Sequence, residues 1–350
     1  MFTQFSINGI SLDAAGLVAL ADLKSIAIRT ALTGSASMLD VLFLAPGIHC
    51  QRDASEVNGG EHPAAGAMTT GYVFHIENQA TVNYLQTVGE TGHLTTIRVS
   101  GKVPRRYGLL LSFLETDFWA TVLYLIGLAL TIITLVLLGV IRDWWGFGVV
   151  CMLLVARILN VIVIKRRTVL GWKGAPEPGV EGDLLILLSQ DRWIRMRGMV
   201  DDIKYVTAGQ WLREEETVES FVVSFATLLV YGSAALAGNA STVGSLLMAV
   251  LLLVSAGILG LCNAATKTLR MFDRIVSVDG EPKKYARRLE MAHELVLEMR
   301  RDDWAIDMGL IKERYLTPEM LQGEFTGICS YRYEINGQQS LDIIMNLWPL

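Results

Sequence analysis

Four long apolar runs constrain this chain more than anything else in it, and they come as two pairs. The first pair covers 118–141 and 145–164, separated by Arg142-Asp143-Trp144. The second covers 221–238 and 243–262, separated by Asn239-Ala240-Ser241-Thr242. A bilayer core is ~30 Å thick, and a helix rising 1.5 Å per residue crosses it with ~20 apolar residues. Each run is near that length, and none carries the charged face of a soluble amphipathic helix. The expected fold is a polytopic α-helical membrane protein with four transmembrane helices in two hairpins. A mixed α/β cytosolic region built from N-terminal, middle and C-terminal segments (1–117, 165–220 and 263–350) completes it.

The flanks of the runs predict an orientation, because Lys and Arg near span ends stay on the cytosolic side. Arg98, Lys102, Arg105 and Arg106 precede the first run. Lys165, Arg166 and Arg167 follow the second, and Lys267, Arg270 and Arg274 follow the fourth. The two hairpin turns share one basic residue, Arg142. The expectation is a multi-pass protein with all three polar segments and both termini in the cytosol. Trp119 then falls at the cytosolic interface and Trp144 and Trp145 at the opposite one, the levels where an apolar ring with a polar N–H is favoured. Met1–Ile10 holds no basic residue, and Asp13 and Asp22 interrupt the apolar stretch after it, so no signal peptide is read and insertion falls to the internal spans.

Composition narrows the partners. Hydrophobic residues make up 52% of the chain, concentrated in the four runs. The net charge of −5, from 30 basic and 35 acidic residues, offers no basic patch for nucleic acid. The cysteines, Cys50, Cys151, Cys262 and Cys329, form no CxxC, so neither a disulfide framework nor a zinc site is expected, and a reducing compartment fits. The histidines His49, His62, His75, His93 and His293 lack a partner at ligand spacing on a helix, so no metal or cofactor is expected. Motifs for metalloproteases, nucleotide-binding loops, dinucleotide binding and serine hydrolases are absent, which argues against an enzyme.

The polar segments read as globular sequence. Leu12–Leu32 has helical apolar spacing, and Ser35–Leu44 extends it or forms a second short element. Gln51–Thr70 reads as a loop and Gly71–Val99 as strands. Leu184–Leu188 and Trp193–Met196 form a hairpin about Ser189-Gln190-Asp191, with Ile194 and Met196 on one face and Trp193, Arg195 and Arg197 on the other. Ile203–Leu212 reads as a short helix, and Pro282–Arg301 as an amphipathic one. Thr317-Pro318-Glu319 reads as a helix start, and Tyr331–Met345 as a hairpin about Asn336-Gly337.

Arg157 is the candidate of greatest interest. It lies ~12 Å inside the second run from its cytosolic end. A charge at that depth costs from ~3 to over 10 kcal/mol unless it finds partners. Asn160 lies one turn on, along the same side. Tyr124, Ser224 and Thr227 are the candidate partners at similar depth, giving a candidate intramembrane polar site of Arg157, Asn160, Tyr124, Ser224 and Thr227. Arg192, Arg195 and Arg197 are candidates for lipid-headgroup contact. Gly232, Ala256 and Gly260 are candidates for close helix packing, within one bundle or between copies of the chain.

These residues support two expectations. One is a non-catalytic, membrane-anchored binding or regulatory protein, with the bilayer, a cytosolic protein or a second copy as partners. The alternative is an oligomeric channel or transporter that uses Arg157 and Asn160.

Overall fold

The computed structural model describes residues 15–101 and 117–312, together with a short strand pair at 330–331 and 343–344. In chain order, a 3-10 helix at Ala15–Leu20 leads to α1 (Ser25–Thr33), and two further 3-10 helices follow at Met38–Leu42 and Ile48–Glu56. Then come β1 (Ala64–Ala67), β2 (Val73–His75), α2 (Gln79–Val88) and β3 (His93–Ser100). The first apolar hairpin is α3 (Phe118–Val140) and α4 (Trp144–Arg167). Strands β4 (Glu181–Leu188) and β5 (Arg192–Met199) and helix α5 (Val200–Thr207) lead to the second hairpin, α6 (Thr217–Leu236) and α7 (Thr242–Ala265). The last elements are β6 (Thr268–Met271), β7 (Arg274–Val278), β8 (Lys283–Lys284), α8 (Arg288–Met299), α9 (Asp303–Asp307) and the pair β9 (Ser330–Tyr331) and β10 (Ile343–Ile344).

Four helices are long and apolar enough to cross a membrane: Phe118–Val140, Trp144–Arg167, Thr217–Asn239 and Thr242–Ala265. The chain is read as a membrane protein on that basis. Two of the spans start at a side-chain cap. The Asp143 carboxylate accepts the Gly146 N–H at the start of α4, and the Ser241 hydroxyl accepts the Gly244 N–H at the start of α7. Arg142 turns the chain with φ of 57°. Asp143 also accepts from the backbone N–H and hydroxyl of Ser241, at 2.9 and 2.6 Å, so one buried carboxylate ties the two hairpin turns together.

The spans do not pack mainly within their own hairpins. The most extensive pairings are α4 with α6 and α3 with α7. The N-terminal segment fills the space between these two pairs. Ala15–Leu20 packs on α6 and α7, Met38–Leu42 on α3 and α4, and Ile48–Glu56 on α4 and α6. Close approach is built into the sequence at two glycines. A Cβ on Gly16 would lie 2.3 Å from Ala237 Cβ, and one on Gly127 would lie 2.1 Å from Phe43 Cε2. One core joins Ala19, Ile26, Phe43, Leu44 and Ile48 to the inward faces of all four spans. Outward faces such as Ile126, Ile133, Val136, Phe225, Leu228 and Leu253 stay exposed, as lipid-facing positions should.

At the end of the spans marked by Phe118, Arg167, Thr217 and Ala265 sits an eight-stranded sheet, ordered β2-β1-β4-β5-β3-β7-β6 with β8 also on β3. Its strands come from all three polar segments. All pairings are antiparallel except β3 with β5. One face is covered by α1, α2, α5 and the end of α4, through residues such as Ile97, Ile194, Met196, Val161 and Ile164. The other is covered by α8 and α9, which pack Leu295, Val296 and Trp304 on Leu94, Leu185 and Trp193. The expected split of β5, with Ile194 and Met196 on one face and Trp193 and the arginines on the other, is what the two cores show.

Several local expectations need correction. Gly71–Val99 is not all strand: Gln79–Val88 is helical, started by Asn78, whose side chain accepts the Thr81 N–H. Leu12–Leu32 is not one helix within its described part, because the chain breaks between Leu20 and Ser25. Gln51–Thr70 contains a 3-10 helix and β1 rather than loop alone. The C-terminal helix begins at Arg288 rather than near Pro282. The Thr317 helix start and the Asn336-Gly337 turn lie outside the described residues, although β9 and β10 pair antiparallel as ends of the expected hairpin.

Candidate functional site

Arg157 and Asn160 are both buried, at 4% and 3% exposure, and both face the N-terminal segment. The Arg157 Nε donates to the backbone carbonyl of Asp40 at 3.0 Å, and Nη1 donates to Gln51 Oε1 at 2.6 Å. Asn160 Nδ2 donates to the carbonyl of Ile48 at 3.1 Å. The Gln51 amide donates onward to Thr30 Oγ1 at 3.3 Å, and Thr30 donates to the carbonyl of Ile26. Arg157 is thus held by two elements that precede the first span, Met38–Leu42 and Ile48–Glu56, with Thr30 of α1 behind Gln51.

Asp40 is the hub. Its carboxylate accepts the Ser37 backbone N–H at 2.6 Å in a capping box, and the Tyr124 hydroxyl at 2.5 Å, while its charge attracts that of Arg157. Tyr124 stacks on Phe43 with ring centroids 5.4 Å apart, and the Arg29 guanidinium lies 5.6 Å from the same ring. Arg29 also donates to Thr266 Oγ1 at 2.8 Å, just past the end of α7. Buried Arg157 and half-buried Asp40 therefore both have hydrogen-bonding partners within the protein, which is the condition for tolerating them in an apolar surround.

Of the expected intramembrane set, Arg157, Asn160 and Tyr124 converge, and Ser224 and Thr227 do not. Ser224 is exposed, and Thr227 donates to the Val223 carbonyl within its own helix. The inward stripe of α6 is instead Glu219, Val223, Ala226, Val230, Ser233 and Ala234. Successive helix positions turn ~100°, so residues at a similar level along neighbouring helices need not face one another. Asp40, Gln51, Thr30 and the Ile48 carbonyl are the partners the sequence reading missed. One signal was available: Ser37-x-x-Asp40 has capping-box spacing beside an apolar stretch.

The three headgroup candidates have internal partners. Arg195 is buried and forms ion pairs with Asp183 at 2.7 Å and with Glu298 on α8 at 2.7 Å. Arg197 pairs with the same two acids at 3.1 and 3.3 Å. Arg192 donates to the carbonyls of Gln86 and Ser189. The hydrogen bonds from Arg195 hold the Glu298 carboxyl below the usual glutamate range. Of the packing candidates, Gly232 meets only Met152 Cε at 3.3 Å, Ala256 is half-buried, and Gly260 opens onto empty space.

A cavity between α4, α6, α7 and the 15–20 segment is lined by Gly16, Ala19, Leu153, Ser233, Met248 and Leu252, among others, and holds about 10 Å³. That is roughly one water's worth of space. A second polar cluster lies nearby in the N-terminal segment: ligand atoms of Asp22, His49 and Cys50 all fall within 4.8 Å of one another. No protein-family model, curated protein or solved structure matches this chain.

Proposed function

We propose that this is a non-catalytic, membrane-anchored binding or regulatory protein whose working surface is the sheet body, not a conduit through the spans. The observation that carries this reading is the commitment of Arg157 to the Asp40 carbonyl and Gln51. An arginine in an ion or anion path needs donors facing an open lumen. Here the donors face protein, and the cavity among the spans that Gly16 and Ser233 line is water-sized. The charge flanks support a cytosolic sheet body and C-terminal region, with the Arg142–Asp143 and Asn239–Ser241 turns on the opposite side.

The alternative, an oligomeric channel or transporter, makes an opposite forecast. Purified protein reconstituted in liposomes is expected to give no cation, anion or proton flux above that of empty vesicles. Flux that Arg157→Gln abolishes, in protein that elutes as a folded species, would overturn the anchored-module reading.

A further inference from the structure

We propose that Asp22, His49 and Cys50 form a three-ligand site for a divalent ion of the zinc class, which staples together two stretches of the N-terminal segment. The three residue types are the donors such an ion prefers: a thiolate, an imidazole and a carboxylate, in a set that harder cations such as magnesium or calcium would not select. Their ligand atoms lie within 4.8 Å of one another, close enough for one metal to gather them with small side-chain movements. Cys50 is buried and its thiol donates to Asp22 Oδ1 at 2.8 Å. The Nδ1 atom of His49 is buried with no hydrogen-bond partner among the described residues, an uncommon state for a ring nitrogen.

The backbone is shaped to bring these residues together. Asp22 lies in the break between Ala15–Leu20 and α1, and His49 and Cys50 open the Ile48–Glu56 helix. The two stretches touch at Gly47, which has φ of 87° and where a Cβ would lie 2.1 Å from the Leu23 carbonyl oxygen. Only glycine permits that approach, and it sets Asp22 beside the His49-Cys50 pair. The His49 ring rests at a tilt against Tyr231 of α6, with centroids 6.1 Å apart. Asp22 is exposed, so the cluster is not sealed off by the protein. On binding, the metal replaces the Cys50 thiol proton, which leaves to solvent, and the thiolate becomes a ligand.

The test uses the full-length chain in detergent micelles, with Zn²⁺ and Co²⁺ as probes. Expected is one saturable Zn²⁺ per chain, and with Co²⁺ a near-ultraviolet thiolate charge-transfer band. Cys50→Ser should remove the band, and Asp22→Asn and His49→Gln should each weaken Zn²⁺ binding at least tenfold. The Asp22 and His49 variants decide the matter if Cys50→Ser does not elute as folded protein. No saturable binding, a Co²⁺ band that survives Cys50→Ser, or unchanged affinity in Asp22→Asn and His49→Gln would each overturn the proposal. None of these outcomes depends on whether the sheet body binds a partner.

Discussion

Arg157 shows what one residue in an apolar run can and cannot disclose. That it needed partners was legible, because an isolated charge in hydrocarbon is too costly to leave alone. The identity of the partners was not, because Asp40 and Gln51 are more than a hundred positions away and reach it only through tertiary folding. Arg157→Leu leaves the Gln51 side-chain oxygen buried without its donor, and an orphaned group of that kind costs about 1–3 kcal/mol. The expected result is a fall of several degrees in thermal unfolding in detergent. Gln51→Leu paired with Arg157→Leu should recover part of the loss, which a double-mutant cycle would measure. The arginines of β5 make a second forecast at this scale. Glu298 has its pKa lowered from an ordinary value of 4.5, chiefly by hydrogen bonds from Arg195. A depressed carboxylate pKa contributes stability that is present above the unfolded value and lost as pH falls through the folded one. Amide exchange in α8 should therefore accelerate as pH drops below about 4.5 relative to the rest of the sheet body. Glu298→Gln should flatten that dependence, and an identical acid profile in the variant would refute the assignment.

Elements were most legible where periodicity was strong and least where capping decides. The four spans, the β4–β5 hairpin and the two faces of β5 followed from apolar length and alternation alone. Helix α2 did not, because Asn78 at its start and Ala80, Tyr84 and Leu85 on its buried side sit within a stretch whose neighbours alternate like strands. Which glycines matter for packing was also hidden. A small-xxx-small spacing drew attention to Gly260, which faces open space, whereas Gly16 and Gly127 are the ones pressed against other backbone and rings. Gly127→Leu is expected to force Phe43 from its place and destabilise by about 1–3 kcal/mol or more, as overpacked cores do. Gly260→Leu should change unfolding little, and equal effects from the two would contradict this packing. The turn lock is testable at the same scale. Asp143→Ala removes the acceptor for Gly146 N–H and for both Ser241 donors. It should cost about 1–2 kcal/mol through the lost cap alone, and it should raise proteolytic nicking at the 239–241 turn.

For the whole molecule, the decisive step is the path of the N-terminal segment, which polar composition had assigned to the cytosolic region. Gly16 rests against Ala234 and Ala237, next to the turn that closes the second hairpin. By Ser25 the chain is at the other end of the bundle, where its carbonyl accepts from Asn263 Nδ2 near the end of α7. A 3-10 helix rises ~2 Å per residue and extended chain ~3.3 Å, so residues 15–25 reach up to about 25 Å, most of a bilayer core. No single run of ~20 apolar residues marks this passage, because its backbone groups are sheltered by the four spans rather than by an isolated helix of its own. Hydropathy reads only segments that must face lipid, which is why the spans were visible and this passage between them was not. Ala15–Leu20 therefore lies toward the hairpin-turn end of the bundle, opposite the sheet body. An epitope inserted before Ala15 should be reached by antibody from the side opposite a C-terminal epitope in sealed, oriented vesicles. Accessibility of both epitopes from the same side would instead support both termini on one side of the membrane.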